Sequence, residues 1–177
     1  MWVILTCRAA QAAGDGYPND VFHDNKLKWE FLEMWKWVAN RYKDWEWIAG
    51  YEIMSEPRTK ITPDTEVARF FSDAIAAIRT KDTETPCIIG PAPYYKVMKL
   101  NKAYLQNDPK VIYTFDFFLP TDYAQDTEQD KYYPSTYACN DIFSGWVSQM
   151  CPHDKNKQFY VDYQFWQDLL DDYPLAL

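Results

Sequence analysis

Glycine is scarce in this sequence, with 5 in 177 residues. No glycine-rich turn is present that could wrap backbone amides around a phosphate, so loop-bound nucleotide chemistry is excluded. Histidine is scarcer still: there are 2, His23 and His153, both in loop-like sequence. No Ser-His-Asp or Cys-His pattern accompanies them. The 4 cysteines, Cys7, Cys87, Cys139 and Cys151, form no CxxC pair, which removes the usual framework for a metal. Positive charge is also short. With 18 Lys and Arg against 26 Asp and Glu, net charge −8, no basic patch is left for nucleic acid. No apolar run is long enough to span a bilayer as a helix. The opening Met1-Trp2-Val3-Ile4-Leu5 has no basic stretch before it and is too short for a signal peptide. It reads as a strand entered directly, as though the chain starts within a domain.

What the chain has in quantity is aromatic surface: 18% of residues, with 8 Trp and 14 Tyr. Large rings dominate core energetics, so most of these are packing residues. The surplus also suits sugar binding, in which flat C–H faces stack on rings. The acidic balance favours solubility and is neutral towards an uncharged polysaccharide.

Strand and helix patterns alternate along the chain. Residues 2–7 are an apolar strand, and residues 8–24 a loop rich in Gly, Pro, Asp and Asn. Leu27, Phe31, Trp35, Val38 and Tyr42 recur at helical spacing and predict a helix over 26–43, capped by Asp24 or Asn25. Residues 48–55 are the second strand. Thr62-Pro63-Asp64 starts a helix to about residue 80, with Thr62 as cap. Residues 86–90 form the third strand, 97–106 a helical piece, and 111–118 the fourth strand, ended by Leu119-Pro120. Residues 121–157 read as a long polar and aromatic loop with a short helix near 142–149, and 162–170 as a helix. Strands alternating with helices argue a parallel sheet with right-handed crossovers.

The most informative run is Ile48-Ala49-Gly50-Tyr51-Glu52-Ile53-Met54-Ser55-Glu56-Pro57-Arg58. It is a strand stopped at Glu-Pro, because Pro57 cannot donate a ladder hydrogen bond. Glu56 is therefore carried at the carboxyl end of a strand, where parallel α/β sheets do their chemistry. The plain alternative is a solvated loop acid or a partner for Arg58. Residues 51–58 resemble the Asn-Glu-Pro signature of glycoside hydrolase family 5, the cellulase-like retaining glycosidases, with Ser55 in place of the usual Asn. The resemblance implies a (β/α)8 barrel and Glu56 as general acid/base at the end of its fourth strand. Such a barrel needs roughly 250 residues. The fold expected is thus a partial (β/α)8 TIM barrel, about four parallel strands with outer helices. Residues 1–177 would be a single fragment matching strands three to six, without the first two and last two strands.

Retaining glycosidases use two carboxyl groups about 5–5.5 Å apart. In the family the second is a Glu ending strand seven, and no segment here reads as a strand followed by such a Glu. The family's His-x-Tyr at strand six corresponds to Asp116-Phe117-Phe118. Asp116 is a candidate for binding substrate hydroxyls, or equally an acid paired with Arg8. Arg8, at the end of the first strand, lines the same cleft or forms a plain salt bridge. Glu52, four residues before Glu56, shares its side of the pleat and needs a buried partner.

Tyr94, Tyr95, Tyr123, Tyr132, Tyr133, Tyr137 and Trp146 leave strand ends on loops and are candidates for sugar stacking, each alone more commonly a packing residue. His23 is a further candidate for the cleft. The function expected is hydrolysis of O-glycosyl bonds in β-linked carbohydrate, without cofactor or metal. A non-catalytic carbohydrate-binding remnant of the same fold is the alternative. Partners expected are carbohydrate, not nucleic acid or membrane, with self-association through open sheet edges. Cys7 and Cys87, in apolar runs, are expected as buried thiols. Cys139 and Cys151 are expected to be bridged, which implies an oxidising compartment, such as the secretory pathway for the parent protein. That bridge should stabilise the loop by about 2–4 kcal/mol. Cα atoms separated by well over about 7 Å would exclude it.

Overall fold

The computed structural model of the protein describes residues 1–8, 21–59, 62–116, 132, 134–138 and 158–172. The chain divides into two compact units, residues 1–116 and residues 117–176. The first unit holds a four-stranded sheet in chain order: β1 (Val3–Thr6), β2 (Ile48–Glu52), β3 (Cys87–Ile89) and β4 (Val111–Tyr113). All three pairings are parallel, and helices α1 (Asn25–Tyr42) and α2 (Asp64–Arg79) are the crossovers after β1 and β2. This is the partial barrel architecture expected.

Helix α1 begins where Asp24 accepts hydrogen bonds from the backbone N–H groups of Lys26 and Leu27, at 2.8 and 3.1 Å. It buries Phe31, Trp35 and Ala39, one residue per turn on one face. Trp35 is 1% exposed and donates its indole N–H to the carbonyl of Ile53 at 3.1 Å, tying the helix to the chain just past β2. Helix α2 is more deeply embedded, with Val67, Phe70, Phe71, Ala74, Ile75 and Ile78 all buried. Its cap position is Pro63 rather than Thr62, and no side chain caps it. The Thr62 hydroxyl is engaged elsewhere, 2.6 Å from that of Thr59. Asp64 and Glu66 in the first turn favour the positive helix end instead.

The turn into β3 is bolted to the amino end of the sheet. Asp82, 3% exposed, accepts from the N–H groups of Glu84 and Thr85, both at 2.9 Å, and from the hydroxyls of Thr85 at 2.7 Å and Tyr51 at 2.9 Å. Burial alone would push its pKa up. The hydrogen bonds outweigh burial and hold it below its ordinary value. Arg79 then donates to the carbonyls of Asp82 and Thr85, at 3.0 and 2.8 Å, and forks onto Asp108 at 2.7 and 3.5 Å.

Three boundaries differ from expectation. Residues 97–106 are two single 3-10 turns, Val97–Lys99 and Lys102–Tyr104, not one helix. Asn101 interrupts them: its side chain accepts from Ala103 N–H and donates to Lys99 C=O, both at 2.9 Å, a local alternative to helical bonding. β4 ends at Tyr113. In the second unit, β5 (Ser135–Ala138) pairs antiparallel with β6 (Gln158–Val161), followed by α3 (Tyr163–Asp172), at whose start Asp162 accepts from the N–H of Phe165 at 2.8 Å. Reading residues 121–157 as loop missed this pair, because Ser-Thr-Tyr-Ala is short and half of it has weak strand preference. The Cys139–Cys151 bridge and the helix near 142–149 lie outside the described residues.

Asp82→Ala should cost about 2–3 kcal/mol, since two N–H groups and two hydroxyls lose their acceptor. Folding holds the Asp82 pKa below its unfolded value. Its contribution is therefore full above about pH 4 and is lost as pH falls through the depressed folded value. Urea midpoints that are equal for the two proteins at pH 7, or that differ only in acid, would contradict this.

Candidate active site

Past Glu52 the strand pairing becomes irregular but does not stop. Ile53 N–H bonds to Ile88 C=O at 3.1 Å, and Ser55 N–H to Cys7 C=O at 3.1 Å. Glu56 then adopts a left-handed backbone, φ 48°. That conformation costs a non-glycine residue roughly 1 kcal/mol and persists only where neighbours enforce it. The enforcement is visible: the next carbonyl, Pro57 C=O, accepts from Tyr94 N–H at 2.8 Å. The Glu56 corner is held between the exit of β1 on one side and the loop after β3 on the other.

That loop is itself unusual. Tyr94 and Tyr95 are also left-handed, φ 59° and 52°. Tyr95 is 2% exposed, and its hydroxyl donates to the carbonyl of Met54, two residues before Glu56. Its own carbonyl accepts from Asp116 N–H at 2.8 Å, so the one residue sets the positions of both acids. The ring lies where only glycine leaves room. A Cβ on Gly90 would stand 2.5 Å from the Tyr95 ring and 2.7 Å from Thr114 C=O.

Four charged groups converge here. Arg8 Nη2 lies 2.8 Å from Glu56 Oε2, with the arginine side chain 63% exposed and the glutamate 26%. Glu56 and Glu52 both stand near enough to Asp116 to act on its carboxyl. Burial, then the Glu56 hydrogen bond and the two glutamate charges, push Asp116 above its ordinary pKa, with Arg8 pulling the other way. Tyr95 is pushed far above the ordinary tyrosine range by burial first and by Glu52 second, and stays protonated. A cleft of about 340 Å³ runs beside Arg8 along the free edge of β1, lined by Leu5, Cys7, Trp35, Trp37 and Tyr42 among others.

The sequence candidates are thus sorted. Glu56, Arg8, Asp116 and Ser55 come together at one sheet end. Arg8 pairs with Glu56. Tyr95 is not a stacking platform, because its ring is packed over Gly90. Tyr94 is half-buried on the same corner. Glu56 leaves the pleat through its left-handed corner, and the buried partner of Glu52 is Tyr95. Cys87 is buried, its thiol pushed up to about 11, whereas Cys7 is only half-buried because β1 is an edge strand. Tyr132 is exposed. Tyr137 lies on β5, and His23 sits 3.5 Å from the Thr62 hydroxyl. Tyr123, Tyr133, Trp146, His153 and Phe118 lie outside the described residues. The part of the site that sequence reasoning missed is Tyr95 as the organiser. The signal for it was Gly90 five residues earlier, a small residue at a strand exit facing a buried ring. Among the described residues no group of three or more metal-ligating side chains exists, and no helix is long and apolar enough to cross a membrane.

The sequence matches the family model for cellulase (glycosyl hydrolase family 5) over residues 9–170. The chain belongs to glycosyl hydrolase family 5. No curated protein matches it. Among solved structures it is similar to the cellulose synthase subunit Z of Clostridioides difficile, with TM-score 0.54, 20% identity, and coverage of 71% of this chain and 42% of that one. It is also similar to Thermotoga maritima Cel5A in complex with cellobiose, with TM-score 0.54, 25% identity, and coverage of 66% and 35%. A hyperthermophilic endo-β-1,4-glucanase in complex with substrate gives TM-score 0.57, 21% identity, and coverage of 69% and 37%. At 20% and 21% identity, the first and third speak for the fold alone. The family 5 chain spans between 35% and 42% of the lengths of these three structures. The family is one of glycosyl hydrolases.

Gly90→Ala should destabilise the first unit by about 1–3 kcal/mol, because the methyl group must displace a buried ring and meets a backbone oxygen. The same change should move Asp116 away from Glu56. An unchanged urea midpoint together with an unchanged carboxyl pair in a crystal structure would refute the close-approach argument.

Proposed function

We propose that Glu56 is the general acid/base of a retaining glycoside hydrolase acting on β-linked, cellobiose-like carbohydrate, and that the nucleophilic carboxylate comes from polypeptide beyond these four strands. The observation that carries this is the enforced left-handed corner at Glu56, which presents one acid at the carboxyl end of a parallel sheet. Strain concentrates at working sites because it must be maintained by surrounding structure. The family assignment points the same way. Asp116 is not the second carboxylate of a double displacement. It stands beside Glu56 at the same sheet end and acts directly on its charge, whereas the two catalytic carboxyls of a retaining enzyme stand roughly 5–5.5 Å apart across the sugar carbon. Neither role calls for a cofactor.

In this reading residues 1–177 are one fragment of the catalytic barrel. A lone acid cannot form the glycosyl-enzyme intermediate, so the 177-residue chain binds β-glucosides without turning them over. A second reading, a carbohydrate-binding remnant, is favoured by one observation: the Glu56 carboxylate is already engaged by Arg8 at 2.8 Å.

The two readings separate experimentally. In a polypeptide extended through a strand bearing a second carboxylate, Glu56→Gln should cut hydrolysis of unactivated β-glycosides by about 10²–10⁴-fold. Glycosylation by activated aryl β-cellobiosides, which need little protonation, should suffer far less. No turnover by the extended protein despite measurable cellobiose affinity supports the remnant. Hydrolysis by the 177-residue chain that survives Glu56→Gln would overturn both readings.

A further inference from the structure

The acid cluster occupies the carboxyl end of the sheet, and the helix layer carries a second concave feature that the cluster does not explain. A groove of about 470 Å³ lies where the second half of α1 meets the end of α2. It is lined by Glu33, Lys36, Trp37 and Asn40 from α1 and by Thr80 and Lys81 just past α2. We propose that this groove is a second carbohydrate site, which takes a short β-linked glucan chain on the Trp37 ring. Its ligand class rests on the carbohydrate reading given above, and no part of it depends on Glu56.

Trp37 is 64% exposed, two residues after Trp35, which is 1% exposed in the core. Two residues turn a helix by more than half a circle, so α1 buries one ring and offers the other to solvent. Glu33, Trp37 and Asn40 follow one another at helical spacing with Lys36 beside them, which puts all four on one stripe of α1. The groups around the ring are hydrogen-bonding ones. Glu33 and Lys36 are ion-paired across one turn, and both side chains still reach water. Thr80 gives its hydroxyl proton to the Ala77 carbonyl at 2.7 Å, which leaves the oxygen to accept. Asn40 and Lys81 are exposed and supply an amide and an ammonium group. A pyranose asks for this combination: an aromatic wall for its C–H face and polar groups of both kinds for the hydroxyls on its rim. The volume falls within the roughly 300–1,000 Å³ of small-ligand pockets. With one of its two lysines paired to its one glutamate, the lining has no strong field for a phosphate-rich ligand, and a neutral one suits it. The groove lies between consecutive crossover helices that pack on each other, so further strands at either sheet edge would not fill it. Trp37 also lines the cleft beside β1, whereas Asn40, Thr80 and Lys81 line the groove and not that cleft.

The test is NMR titration of the whole 177-residue chain with cellotetraose, and with maltotetraose as the α-linked control. Cellotetraose should shift the Trp37 indole N–H and the Asn40 side-chain amide together, and maltotetraose should shift neither. Trp37→Ala, which spares the core, should raise the dissociation constant read at Asn40 by about tenfold or more. Trp37→Phe should recover part of that loss, because a ring is restored. Asn40→Ala should raise the constant read at Trp37 several-fold. No shift at Trp37 or Asn40 at tens of millimolar cellotetraose would overturn the proposal, whether or not any variant folds. So would binding that Trp37→Ala removes and Asn40→Ala leaves intact, since that binding belongs to the cleft beside β1. An equal response to the two sugars would overturn the ligand class. Groove binding in a protein whose extended form has no Glu56-dependent hydrolysis leaves this inference standing and removes the catalytic reading. Glu56-dependent hydrolysis without groove binding does the reverse.

Discussion

The residue on which this site depends is Tyr95, a tyrosine held in a left-handed backbone conformation with its ring sealed over Gly90. Its hydroxyl takes the Met54 carbonyl and its carbonyl takes the Asp116 amide. It thereby joins the exits of β2 and β4 across the end of β3. A buried phenol is costly to leave without a partner, so the bond to Met54 is enforced from both sides: the hydroxyl needs an acceptor and the carbonyl needs a donor. The acid pair inherits its geometry from that mutual need.

The two ends of the sheet are built on opposite electrostatic plans. At the amino end the buried charges of the turn into β3 are compensated. Asp82 is saturated with donors, and Arg79 and Asp108 satisfy each other and the adjoining turn. At the carboxyl end, among the described residues, three acids cluster with Arg8 and the neutral Tyr95 phenol. Compensation stabilises, whereas surplus negative charge raises proton affinity and is a cost that stability alone would not select. The α1–α2 layer and the Asp82 turn supply rigidity to the sheet that carries the acid cluster at its other end.

The inner face of the sheet differs from the helix-covered one. Thr6, Glu52, Ile88 and Ile112 are lateral partners and share one face. On that face Ile4 is 52% exposed and Ile112 48%. Parallel sheets are ordinarily covered on both faces, and here α1 and α2 pack on the other one. Exposed isoleucines on that face are consistent with a barrel interior, where side chains from other strands would meet them.

The order of β1–β4 with α1 and α2, the parallel sheet, the α1 and α2 core stripes and the place of Glu56 past a strand end were legible in the sequence. Each follows from local rules: β-branched runs, 3.6-residue periodicity, an Asp cap and a proline that ends pairing. Only the tertiary structure decided what Glu56 touches. Its link to Arg8 joins residues 48 positions apart in sequence, and its contact with Asp116 spans a longer gap still. It also turned Tyr95 from a loop aromatic into a buried anchor, and split residues 97–106 at Asn101. Periodicity reports which face a residue occupies relative to its own element. It carries no information on which strand exits meet, because that depends on sheet order, register and the room left by a single glycine.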